Sequence, residues 1–308
     1  MNGAPGWGSW SLDPLVAIAL LAAGGWYVAM LRRVRERTGR PVGPGHWLFY
    51  WSGLAVVVIA LLSPIDEIGD RWLLSAHMLQ HTLLSDIAPA LVILGLRAPV
   101  LPLGLPRGVL VKVSPRGALG RFWQAATRPW IALPAWAAAT WIWSIPSVFD
   151  YTAQHSLLHA FEHATLFSTG FALWWLIIAP LPSARRESGM VRLAYLAFSR
   201  GFGAFVCLPL AWLNHTVYPL YVNAPRSYGV SALSDQRLAG ASMCLIEFLV
   251  FGVALVAVFI DALNRDERAQ VLGERAELLG DEAQALGEHT RALGEHSQAL
   301  GELAASPR

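Results

Sequence analysis

The chain has 308 residues, 55% of them apolar and only 14% charged, with a mean hydropathy of +0.45. That balance lies well outside the soluble norm and points to an integral membrane protein. The formal net charge is +2, so the small basic excess gives no reason to expect a nucleic-acid partner.

Fourteen tryptophans suit a protein with two membrane–water interfaces, where indole rings anchor. Both cysteines, Cys207 and Cys244, lie in apolar runs, which argues against a structural disulfide framework. No basic residue precedes the first apolar run and several follow it, the pattern of a retained first helix with its N-terminus outside.

The expected fold is an all-α bundle of seven transmembrane helices within residues 1–262. The spans read as Leu12–Leu31, Trp47–Leu62, Arg71–Leu96, Pro129–Ile145, Thr152–Ala179, Met190–Leu213 and Asp235–Ile260. Breakers such as Gly39-Arg40-Pro41 and Pro180-Leu181-Pro182 separate them. Arg32, Arg33, Arg35, Arg37 and Arg40 follow the first span. Arg97, Arg107, Lys112, Arg116, Arg121 and Arg128 follow the third, and Arg185, Arg186 and Arg192 the fifth. These links share one side, which should be cytoplasmic, with the C-terminus inside. Residues 263–308 repeat Leu-Gly-Glu or Leu-Gly-Asp every seven residues, beginning at Leu272, Leu279, Leu286, Leu293 and Leu300. This cytoplasmic tail should be helical and able to self-associate, or disordered, because a glycine in each heptad costs about 1 kcal/mol relative to alanine.

The chemistry lies in the histidines. His77 and His81 are four apart and share one face at the start of the third span. His155, His159 and His163 form a second stripe at the start of the fifth, with Glu162 beside it. With this topology both stripes enter from the outside. Imidazole pairs spaced i, i+4 can bind a metal from one helix face, and a neighbouring carboxylate can ligate or orient an imidazole. Structural hydrogen bonding between helices explains any one histidine, but five on two stripes exceed what packing needs.

Further candidates are softer. His215 ends the sixth span, and Met243, Cys244 and Cys207 could add sulfur ligands, although apolar packing explains these three as well. Asp86, Arg200 and Glu247 are charges at similar depth. Arg200 should pair with Glu247, Asp86 or both. The loop between the last two spans, with Tyr218, Tyr221, Asp235 and Gln236, suits a lid or a docking rim. Trp141, Trp143 and Phe149 read as interface anchors.

Taken together, Ser63-Pro64-Ile65-Asp66, Ser75-Ala76-His77-Met78-Leu79-Gln80-His81, His159-Ala160-Phe161-Glu162-His163, Tyr218-Pro219-Leu220-Tyr221 and Asp235-Gln236-Arg237-Leu238-Ala239-Gly240 carry a resemblance. In order and spacing, across roughly residues 10–262, they resemble the polytopic CtaG family of cytochrome c oxidase assembly factors. This is not the single-span copper chaperone of the same name. The resemblance implies a multi-pass protein of the bacterial plasma membrane that matures a haem–copper oxidase by handling copper, with oxidase subunits or other assembly factors as partners. Residue by residue it points to His77, His81, His159, His163 and the Asp235-Gln236 turn. Met243-Cys244 followed by Glu247 departs from the Met-Trp expected after Ala239-Gly240.

No nucleophile–base constellation or phosphate loop is present, so the expectation is an assembly factor and not an enzyme. The metal would be copper, ahead of zinc or haem. The alternatives are a metal- or haem-dependent membrane oxidoreductase and a proton-coupled transporter working through Asp86, Arg200 and Glu247.

Overall fold

The computed structural model describes residues 5–6, 8–113, 117–181 and 187–305. Arg116, Arg185 and Arg186 of the charge pattern lie outside them. Among the described residues the regular structure is entirely helical. α1 (Pro14–Thr38) and α2 (Pro44–Leu62) are followed by a short α3 (Pro64–Arg71). Then come α4 (Leu74–Thr82), a π-helical turn (Leu83–Ile87) and α5 (Ala88–Leu96). α6 (Val100–Gly104), α7 (Arg107–Val113) and α8 (Ala118–Ala126) lead to α9 (Pro129–Trp143), α10 (Pro146–Ala153) and α11 (Ser156–Ile178). α12 (Gly189–Trp212), α13 (Pro219–Val222) and α14 (Ala232–Ala305) complete the order.

Five segments are long and apolar enough to cross a membrane: Pro14–Thr38, Pro44–Leu62, Leu74–Leu96, Gly189–Trp212 and Ala232–Gln284. A sixth is added if α9 and α10, bent by 74° at their junction, count as one. α11 is not in this set. Its 23 residues would span ~34 Å, but it carries His159, Glu162 and His163. The expected third span therefore begins at Leu74, because Arg71 ends α3, and α10 stands between the expected fourth and fifth.

Local sequence explains several of these boundaries. Ser63 accepts a hydrogen bond from Ile65 N, and Pro64 occupies the first turn of α3, where a missing N–H costs nothing. The π turn precedes Pro89, which has no N–H to offer the Ser85 carbonyl and whose ring would crowd it. Widening the turn relieves that crowding. α11 then approaches so closely that a Cβ on Gly170 would lie 2.0 Å from Ser85 O.

Chain contacts divide into two compact units, Met1–Val258 and Phe259–Arg308. In the first, α5 packs on α2, and α11 packs on α9, α5 and the π turn. One apolar cluster gathers Trp136, Leu173, Trp174 and Phe251. Another stacks Tyr27 on Tyr50 at 3.7 Å. A third, with Met78, Phe149, Tyr218, Tyr221, Cys207 and Met243, lies beside the histidines. Cys207 and Cys244 form a disulfide between α12 and α14, which corrects the expectation of two separate apolar cysteines. The second unit is helical to Ala305, with Leu272, Leu278, Leu279 and Leu286 exposed.

Candidate metal centre

α4 and α11 bring their stripes face to face. His77 is fully buried and His81, His159 and His163 are each at most 9% exposed. His77 Nε2 and His81 Nε2 lie 2.9 Å apart. The His77 ring stacks on His159 at 5.2 Å, His159 and His163 are 4.2 Å apart, and His81 and His163 are 5.6 Å apart, centre to centre. Glu162, 1% exposed, places Oε1 3.4 Å from His81 Nε2.

Two overlapping donor sets result. One nitrogen each from His77, His159 and His163 lie within 4.8 Å of one another, and so do ligand atoms of His77, His81 and Glu162. Donors at ~2.0–2.1 Å from a tetrahedral ion stand about 3.3 Å apart, so either set would draw in by up to ~1.5 Å to hold one. His77 Nδ1, His159 Nε2, His163 Nε2 and Glu162 Oε1 are buried with no hydrogen-bond partner. Buried polar atoms are normally satisfied, and four unpartnered ones among these side chains suit cation binding.

The surrounding shell fixes this geometry. Gly69 of α3 meets α4 so closely that a Cβ there would lie 3.0 Å from His77 N and Cα. Asp70 places Oδ1 3.5 Å from His159 Nδ1, where a carboxylate can orient the imidazole. Gln80 donates to Ala60 O at 2.9 Å and to Asp66 Oδ1 at 2.6 Å, tying α4 to α2 and α3. Burial, and then the Asp70 charge, pushes the Asp66 carboxyl up to about 6, against the lowering effect of the Gln80 bond. Burial likewise pushes Asp70 up to about 6, with Arg71 opposing.

The Asp235-Gln236 turn is a brace. Asp235 accepts from Leu74 N at 2.7 Å, Ser75 N at 3.1 Å and Ser75 Oγ at 2.5 Å, and so caps α4 from α14. Gln236 accepts from Val217 N at 2.6 Å and donates to His215 O at 3.0 Å. Tyr221 donates to Gly69 O, and Tyr218 donates to Ser144 O at 2.9 Å. Both tyrosines are 2% exposed, so they roof the cluster and do not form a docking rim. Burial holds both phenols protonated, pushing them above their usual range.

Residues 25–265 match the family model described as cytochrome c oxidase caa3 assembly factor. The chain belongs to that family. The matched stretch contains the whole histidine cluster and its braces. Among curated relatives, an uncharacterized protein of Mycobacterium leprae is 24% identical over 282 residues, covering 85% of this chain and 40% of the relative. An uncharacterized protein of Mycobacterium bovis and one of Mycobacterium tuberculosis are each 25% identical over 269 residues, 84% of this chain. The chain thus spans about 40% of the length of these relatives. No solved structure matches it.

In this caa3 assembly-factor chain, the expected site residues separate into groups. His77, His81, His159, His163 and Glu162 converge. His155 does not: it precedes α11 in an extended conformation, is exposed, stacks on Tyr151 at 4.1 Å and donates through Nδ1 to Tyr151 O. His215 is exposed and contributes only its carbonyl. Cys207 and Cys244 are spent in the disulfide, and Met243 packs in the apolar cluster around Phe149. Phe149 is not an interface anchor. It is 1% exposed, and its ring lies 4.7 Å from His77 and 6.5 Å from His81. Arg200 pairs with Glu247 as expected, at 3.0 Å. Asp70, Gln80 and Phe149 were not legible as site residues. The acidic pair Asp66 and Asp70, four apart, was the sequence signal for Asp70, and Gln80 lies within the Ser75–His81 motif.

Proposed function

We propose that this protein serves cytochrome c oxidase assembly by binding copper as cargo at His77, His81, His159, His163 and Glu162. The observation that carries the reading is the convergence of two ligand triads sharing His77, all of them buried and several unpartnered. Imidazole with carboxylate suits copper and zinc alike; membership of a cytochrome c oxidase assembly family supports copper as the cargo. The rings pack against one another at 4.2–6.3 Å, which leaves no slot for a porphyrin and favours an ion over haem. His159, with Asp70 behind it, would present Nε2 to the ion, and the buried position would keep competing water away.

In the same reading α9–α10 and α11 also cross the bilayer, giving seven spans in the bacterial plasma membrane. The arginine-rich links then face the cytoplasm, the N-terminus lies outside, and the copper site opens toward the extracytoplasmic face. Oxidase subunits or other assembly factors would receive the copper there. The tail of residues 263–308 would mediate self-association on the cytoplasmic side.

Metal analysis of protein purified from copper-supplemented cells tests the binding step. Wild type should carry about one copper per chain, whereas His77→Ala with His81→Ala, and His159→Ala with His163→Ala, should lose most of it. Full retention in both folded double variants would defeat the proposal.

A further inference from the structure

The arginines at the end of α1 divide between two sides of the helix. Tyr27, Met30 and Val34 are buried and turn α1 toward the bundle. Arg33 and Arg37 flank that stripe on one side. They donate to backbone carbonyls of α6, Arg33 to Gly104 O at 3.5 Å and Arg37 to Leu103 O at 2.6 Å. Arg32 and Arg35 flank it on the other side, in line with Val28 and Leu31, within an arc of about 100°. Among the described residues neither Arg32 nor Arg35 has a hydrogen-bond or ion-pair partner. Both face a groove of about 390 Å³ between the end of α1 and the start of α2. Gly39, at φ 68°, ends α1 and Pro44 opens α2, so the chain doubles back past these arginines. Half-buried Val28, Leu31 and Val42 and the indole of Trp47, 54% exposed, supply the apolar part of the groove.

The two halves of this groove call for one kind of ligand. α1 is long and apolar enough to cross a membrane, so its change to arginine after Leu31 marks the headgroup layer, where an indole such as Trp47 also sits. Val28 lies one turn back from Arg32, ~6 Å deeper along the helix. The groove is thus basic at headgroup level and apolar on the bilayer side. Paired guanidinia without protein acceptors suit phosphate oxygens, which they can bind in bidentate fashion. We propose that this groove binds one anionic phospholipid of the surrounding bilayer. Arg32 and Arg35 hold its phosphate, and its glycerol and upper acyl chain lie along Val28, Leu31 and Trp47. An acidic peptide would satisfy the guanidinia but would leave the apolar part of the groove unused. A zwitterionic lipid would bring its own cation beside two arginines. The site does not depend on copper, since none of its residues belongs to the histidine cluster.

Native mass spectrometry of the 308-residue chain, released from detergent micelles with phosphatidylglycerol or phosphatidylcholine added, tests this. Wild type should retain one phosphatidylglycerol per chain, about tenfold more readily than phosphatidylcholine. Arg32→Gln with Arg35→Gln should weaken that retention about ten- to thirtyfold. Arg40→Gln removes an exposed arginine of the same link that does not line the groove, and should change retention by less than about twofold. Inorganic phosphate in excess should not displace the lipid, because the apolar part of the groove holds it as well. An equal loss in Arg40→Gln would reduce the effect to general surface charge and overturn the proposal. Equal retention of the two lipids, or displacement by inorganic phosphate, would overturn it too. Displacement by an equal concentration of a glutamate-rich peptide would assign the groove to a protein partner instead. The lipid comparison and both competitions use wild type alone, so they decide the matter even if the double variant fails to fold.

Discussion

Asp235 caps the helix that carries His77. Its two carboxylate oxygens accept from Leu74 N at 2.7 Å and Ser75 N at 3.1 Å, although 160 residues separate it from Ser75. The first turn of a helix has N–H groups without partners, and Leu73, at the cap position of α4, has no side chain to offer them. α14 supplies the acceptor, and the negative charge sits where the helix dipole favours it.

Asp235→Ala should therefore destabilise the bundle by about 1–2 kcal/mol and lower copper retention together with it. Asp235→Asn should be milder, since one acceptor remains. Thermal unfolding in detergent and copper per folded chain check this. Unaltered stability in Asp235→Ala would show that the cap has no energetic role.

Gly170→Ala should disturb the packing of α11 on the π turn, because the added Cβ meets Ser85 O. The expected cost is about 1–3 kcal/mol, read as a lower melting temperature. Gly252→Ala is the control: it has open space around it, and helix propensity favours the change.

The disulfide should matter for stability and not for the metal. Replacing Cys207 and Cys244 together by alanine should cost about 2–4 kcal/mol in unfolding and leave copper stoichiometry unaltered. Loss of copper from a still-folded double variant would return the sulfurs to the ligand set.

Asp66 gives a pH signature. Its folded value of about 6 stands above the ordinary 3.8, so the folded state favours the neutral acid. The penalty for ionised Asp66 is fully present above pH 6 and fades as pH falls toward 4. Asp66→Asn keeps an oxygen to accept from Gln80, so it should raise the melting temperature at pH 7.5 and leave it nearly unaltered at pH 4. An equal shift at both would place the effect outside ionisation.

The stripes were legible because helical periodicity puts His77 above His81 and His159 above His163 on one face each. The same rule misplaced His155, because α11 begins at Ser156 and the residue before it has φ −127° and ψ 99°. A spacing of four carries facial information only inside the helix. Phe149 and Asp70 reach the cluster from short helices whose tertiary placement periodicity does not encode. The Cys207–Cys244 bond and the Asp235 cap are likewise contacts between distant segments. The π turn had one local signal in Pro89. Arg200 and Glu247 were paired correctly because an intramembrane arginine demands a counter-charge at its own depth.

X-ray absorption at the copper edge, on the copper-loaded 308-residue chain, tests the central claim most directly. The account predicts a shell of nitrogen and oxygen ligands with outer-shell scattering from at least three imidazoles, and no sulfur. A copper–sulfur shell, or copper without imidazole scattering, would contradict it.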